Sequence, residues 1–176
     1  DMKRRDWNVR HTFTVPRSAP IRPMLARRAF FWDGRAMLEN PSDAEIYDLL
    51  ATPLRIALVG ASLNPARASH SVGNMLAGRG HHVVGVNPGH AGTPLFGQPV
   101  VARLEDVPGP VDMVDVFRQS DALPAIVETV ITQMPSVKVI WTQLDVVHEE
   151  AAARARAAGL MVIQDRCPVI EYRRLF

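Results

Sequence analysis

Five short apolar runs, set apart by segments of helical length, restrict what this chain can fold into more than any other feature. The runs cover residues 56–59, 83–86, 111–116, 137–141 and 160–164. Such lengths suit strands, and runs with little polar alternation belong to strands covered on both faces. The third run carries Asp112 and Asp115 within it. The segments between runs read as helices. Residues 69–79 put Val72, Met75 and Leu76 on one side and end at Gly78 and Gly80. Residues 122–133 hold Pro124 in a first turn, where proline is tolerated. Residues 146–158 carry Ala at six positions and stop at Gly159. Ahead of the first run, Ser42 with Glu45 three residues on forms a capping box, opening a short helix to Leu50 that Pro53 closes. Residues 88–98 read as a loop with three glycines, 99–102 as a short edge strand, 104–107 as a helical turn, and 168–174 as a short helix or turn. Strands alternating with helices imply βαβ units: an α/β fold in three layers around a mainly parallel sheet. Ligands of such sheets bind beyond the carboxyl ends of the strands.

The length of 176 residues suits one domain, large enough to bury a core without disulfides or metals. The single cysteine, Cys167, excludes an internal disulfide, and no metal-ligand spacing occurs. The lone cysteine fits a reducing, cytoplasmic location. No run is long enough to span a bilayer, and Arg10, Arg17 and Arg22 interrupt the most apolar part of the N-terminal region. Charge divides unevenly. Residues 1–42 hold nine Lys/Arg against four Asp/Glu, and residues 43–176 hold eleven against fourteen. With Pro16, Pro20, Pro23 and Pro41, residues 1–41 read as a basic Pro/Arg-rich extension, and 42–176 as the folded domain. Trp7, Phe13, Phe30, Phe31 and Trp32 suit an arm packed on the domain or on a second copy; its charge also suits an acidic partner, although nucleic acid is not the expected one.

Between Asp48 and Glu105 there is no carboxylate at all. Two turns that follow apolar runs lie in this stretch. Gly60-Ala61-Ser62 sits where glycine permits a tight turn and backbone N–H groups can hold a phosphate. Arg67 adds a cation before Ser69 and Ser71. The plainer alternative is an ordinary strand-to-helix turn, with Ser69 as N-cap and Arg67 in solvent. Val86-Asn87-Pro88 ends the second run where a dinucleotide fold meets adenosine, and His90 is near. Many nicotinamide sites place an acid there for a ribose hydroxyl, and here none is present. The plainer alternative is again a turn. Phe117-Arg118 closes the third run, with Arg118 free for phosphate or paired with Asp121. Trp141-Thr142-Gln143 closes the fourth, with Trp141 either a groove wall or a core aromatic. Cys167 follows the fifth, either as a thiol at the ligand edge activated by Arg166 or as a small buried apolar residue. The histidines lack acid or cysteine partners and read as structural.

As an ordered set these pieces resemble the small bacterial CoA-binding-domain proteins (YccU-like), similar to the CoA-binding domain of the succinyl-CoA synthetase alpha subunit. The matching residues include the 56–62 segment, Pro65, Arg67 and Ser69, Val86-Asn87-Pro88, Gly92, Leu95 and Gly97, the 111–118 segment, Trp141 and Gln143, Glu149-Glu150-Ala151, and Asp165-Arg166-Cys167-Pro168. The resemblance implies a Rossmann-like domain that binds coenzyme A or an acyl-CoA without its own catalysis. Gly60, Ala61 and Ser62 would hold the pyrophosphate, with Arg67 adding charge. Val86, Asn87, Pro88 and His90 would flank the adenosine and its 3′-phosphate, and Trp141, Thr142 and Gln143 would lie along the pantetheine. Two positions depart from the family pattern: Gly89-His90 stands where lysine is common, and Asp145 where glycine is common. The phosphohistidine segment of the synthetase has no counterpart. Two other readings stand beside this one: an NADP-dependent oxidoreductase, and an interaction module using the basic arm. A homodimer suits a domain this small.

Overall fold

The computed structural model describes residues 40–176. The basic arm expected over residues 1–41 falls outside the described residues except for its last two. The first described residue is fastened to the last strand: the Asn40 amide donates to Gln164 O at 2.8 Å and accepts from Gln164 N at 2.7 Å.

Five parallel strands form the sheet. These are β1 (Arg55–Val59), β2 (His82–Val86), β5 (Met113–Val116), β6 (Val139–Thr142) and β7 (Met161–Ile163), in the order β2-β1-β5-β6-β7. Side chains alternate between faces. On β1, Ile56 and Leu58 enter one core with Met113, Val139, Trp141 and Ile163, while Ala57 enters a second with Val114, Ile140 and Val162. The first core is covered by Ile46 and Leu50 of α1 (Asp43–Leu50), Val72 and Leu76 of α2 (Ala68–Gly78) and Tyr172 of α5 (Pro168–Leu175). The second is covered by Val127 and Val130 of α3 (Leu123–Gln133) and Ala151, Ala152 and Ala155 of α4 (Glu149–Ala157). The expected three-layer Rossmann-like fold is therefore present, and its continuous apolar strands follow from having helices on both faces.

Local chemistry explains most boundaries. Ser42 and Glu45 make the capping box of α1. The helix expected from residue 146 starts three residues later. Thr142 Oγ1 holds Val146 O at 2.5 Å, and extended His148 accepts Ala151 N at its own Nδ1. The loop expected over 88–98 contains a 3-10 turn (Pro88–His90) and then a hairpin of β3 (Pro94–Leu95) and β4 (Gln98–Pro99). Phe96 and Gly97, both at positive φ, form its two-residue turn. The edge strand expected over 99–102 shrinks to a parallel bridge between Val101 and Val86.

His81 is structural. Its Nδ1 accepts the Leu54 N–H at 3.0 Å, so Nε2 carries the proton and meets Tyr172 Oη at 2.5 Å; the tyrosine O–H donates to Leu50 O at 2.8 Å. This relay joins α1, the residue just before β2, and α5. Burial, and then the Arg79 guanidinium, push the His81 pKa down. The neutral ring is thus the folded form, and the stability it contributes is complete above about pH 6.5, the unfolded value. That contribution is lost as pH falls toward the lowered native value. Urea denaturation of wild type and His81→Gln should show a stability gap at pH 7.5 that narrows at pH 5. Tyr172→Phe should cost about 1–3 kcal/mol at pH 7.5 by the same measurement, since it leaves a buried donor and a carbonyl unpaired.

Candidate functional site

The chain runs from β1 outward to β2 and returns to β5 on the other side of β1. The loops after β1 and β5 therefore diverge, opening the crevice in which sheets of this kind take ligands. Every turn singled out in the sequence lies at this carboxyl edge.

Val86 O holds the first turn in place by accepting both Gly60 N at 2.9 Å and Ala61 N at 3.3 Å. Asn87 then ties the two turns together. Its amide donates to Ala61 O at 2.7 Å, and its carbonyl oxygen accepts Gly89 N at 2.9 Å. Gly60 has φ +88, and a Cβ there would lie 2.9 Å from Phe117 O. Glycine is required by conformation and by space alike. Gly85 makes similar room on β2, where a Cβ would come within 2.9 Å of the Ala61 methyl.

Beyond Ala61, Ser62 Oγ accepts Asn64 N and Asn64 Oδ1 accepts Ala66 N, a run of side-chain turns that delays α2. Arg67, not Ser69, is the N-cap of α2; it makes no side-chain cap, and the first turn holds no acid. The amide dipoles there are open to an anion. Ser69 is buried in that turn, while exposed Ser71 donates to Ala68 O at 3.1 Å. Arg67 and Arg118 are both exposed, and neither enters an ion pair among the described residues; the alternative pairing of Arg118 with Asp121 is not formed. After β2, Pro88 is exposed and His90 half-buried.

The far side of the edge differs. Trp141 is the core alternative and not a groove wall: it is fully buried, with Nε1 donating to Arg166 O at 2.7 Å. Thr142 is buried as well, its hydroxyl held by Val146 O, so it offers a ligand nothing. Gln143 Nε2 donates to Asp115 Oδ1 at 2.7 Å. Asp115 is wholly buried, its Oδ2 has no partner, and burial pushes its pKa up to about 7, against smaller opposing effects of the Gln143 amide and then the Val116 backbone N–H. Sequence reading placed Asp115 on the strand and gave it no role. The available signal was a carboxylate inside an apolar run covered on both faces. Cys167 is half-buried at the N-cap of α5, packed beside the first core. Acid returns here: exposed Asp145 N donates to exposed Asp165 Oδ1 at 2.8 Å. The loops after β1 and β2 thus carry Arg67 and His90 and no carboxylate, whereas those after β6 and β7 bring the exposed Asp145 and Asp165 to the edge.

Among the described residues no group of three His, Cys, Asp or Glu could hold a metal, and no helix is long and apolar enough to cross a membrane. A cleft of about 160 Å³ lies between α3 and α4, lined by Pro124, His148 and Arg154 among others, and no residue of either turn borders it.

Residues 54–173 match the family described as CoA binding domain. The chain belongs to that family. It is 38% identical to the uncharacterized protein YneT of Bacillus subtilis (strain 168) over 131 residues, covering 74% of this chain and 93% of YneT. The cell-free ID.343 protein of Thermus thermophilus has a similar structure, with TM-score 0.73, 36% identity, and coverage of 77% of this chain and all (100%) of that one. A hypothetical protein of Pyrococcus horikoshii OT3 superposes with TM-score 0.71 at 32% identity, over 77% of this chain and 92% of that chain.

The Asp145 departure has a structural counterpart. Asp145 adopts φ +63, a conformation that glycine takes without cost. Asp145→Gly should therefore raise stability by about 1 kcal/mol in urea denaturation. Gly60→Ala should lower it by more than about 1 kcal/mol, since conformation and space both oppose the added methyl.

Proposed function

We propose that the chain binds coenzyme A or an acyl-CoA across the carboxyl edge, with no catalysis of its own. The observation that carries this reading is the pairing of two interlocked, carboxylate-free turns with an α2 N-terminus that has no side-chain cap and is headed by exposed Arg67. The pyrophosphate rests on the Gly60–α2 turn, where amide dipoles and Arg67 supply positive potential. The adenosine and its 3′-phosphate lie over Pro88 and His90, where an acid would repel them. Asn87 acts mainly through the turns that it joins, because its amide already bonds to both. The pantetheine then runs toward Gln143 and Cys167. The acidic end of the edge opposes the reverse orientation, which would place phosphates over Asp145 and Asp165. Membership of the CoA-binding family supports the ligand class.

Calorimetric titration of CoA into the full chain near pH 7 should show saturable binding well below millimolar concentration. Arg67→Ala and Arg118→Ala should each weaken it roughly tenfold, the scale of one charge-assisted phosphate contact. 3′-Dephospho-CoA should bind less tightly than CoA. No binding of CoA or acyl-CoA up to millimolar levels would overturn the reading. NADPH binding that CoA fails to displace would favour an oxidoreductase instead.

A further inference from the structure

Among the described residues Asp115 is the one carboxylate buried within the sheet, and it stands near the carboxyl end of β5, beside the crevice. Its register neighbours are Leu58 on β1 and Trp141 on β6, so apolar groups flank it on both sides. One oxygen receives the Gln143 amide and the other receives nothing. An ionised carboxylate accepts hydrogen bonds only, so it requires Gln143 to turn Nε2 inward and leaves Oε1 as the outward end. A protonated carboxyl can donate to Oε1, which reverses the amide and turns its NH₂ outward. Gln143 is 8% exposed, at the boundary between this pair and the edge.

We propose that Asp115 is a positioning residue for the ligand: by holding or releasing one proton it decides which end of the Gln143 amide faces the edge, and ligand binding takes up that proton. The inference rests on the CoA reading. An anionic ligand over the crevice excludes water and brings negative charge toward the carboxyl, and both effects favour its neutral form. The neutral form in turn presents a donor to the carbonyl oxygens of a pantetheine arm. The neutral carboxyl near pH 7 lies within reach of a one-proton change. The other titratable groups on the loops of this edge include Arg67 before α2, Arg118 and exposed Asp121 after β5, His70 and His90 over β1 and β2, and Asp145, His148, Asp165, Arg166 and Cys167 after β6 and β7, with Arg166 bonded to Glu171 at 3.1 Å.

Asp115→Asn fixes the neutral state while keeping the shape. CoA affinity of wild type and Asp115→Asn should agree at pH 6, and at pH 8.5 the variant should bind about tenfold tighter, the effect of one pKa unit of linkage. Titratable groups of CoA and of the edge histidines act equally in both proteins and cancel from this ratio. A ratio that stays within twofold from pH 6 to 8.5 overturns the inference and leaves the CoA reading standing. Failure of both proteins to bind CoA at any pH overturns that reading and the inference with it. A second measurement needs no variant: carbon-13 NMR of Asp-labelled wild type should show the Asp115 carboxyl titrating near neutral pH and shifting upward under saturating CoA. An unchanged titration overturns the inference.

Discussion

The Val86 carbonyl oxygen organises the site. By accepting two successive amides from the turn after β1, it locks that turn to the end of β2, and the Asn87 side chain closes the link from the opposite direction. Two loops that lie far apart in sequence thus become one surface. The arrangement works because Gly60 lets the backbone pass against Phe117, joining the third loop to the other two. A shape held by backbone hydrogen bonds and close packing needs little rearrangement when a ligand arrives, which lowers the ordering cost of binding.

Much of the fold was legible because its signals are local. The consecutive apolar residues of β1, β2, β5 and β6 announced doubly covered strands, and Ser42 with Glu45 announced a helix start. What was not legible depended on partners distant in sequence. His148 ends an extended segment by capping α4, and nothing in the alanine-rich pattern reveals that. The Phe96-Gly97 hairpin hid among turn residues that suit any loop. At the site, the sequence located the right loops and misjudged some side chains. Trp141 and Thr142 directly precede Gln143 at a strand end, yet one points into the first core and the other toward Val146. Asn87 looked like a ligand contact, and its amide joins the turns together. Such assignments rest on which face a residue takes and on what already occupies its hydrogen bonds, and neither is encoded in spacing.

The electrostatic character of the edge also changed in three dimensions. The stretch without carboxylates spoke only for the two turns that lie within it. Folding brings Asp145 and Asp165 to the same edge from later in the chain, so the surface has a direction. Direction matters for a long ligand with phosphates at one end only. Beneath the same edge lies an ionisable group, Asp115, wholly buried and with one oxygen unpartnered.

The amide pair between Asn40 and Gln164 bears on assembly. A three-residue strand at the margin of a sheet offers unpaired backbone groups to any passing strand. Here Asn40 occupies the outward N–H and C=O of Gln164. At the opposite margin, Val101 takes backbone bonds with Gly85 and Asn87. Both flanks are thereby closed near their carboxyl ends, and the sheet is protected there against growth by strand addition. Any strand added by a second copy would therefore have to pair nearer the amino ends of β2 or β7, away from the carboxyl edge that carries the turns.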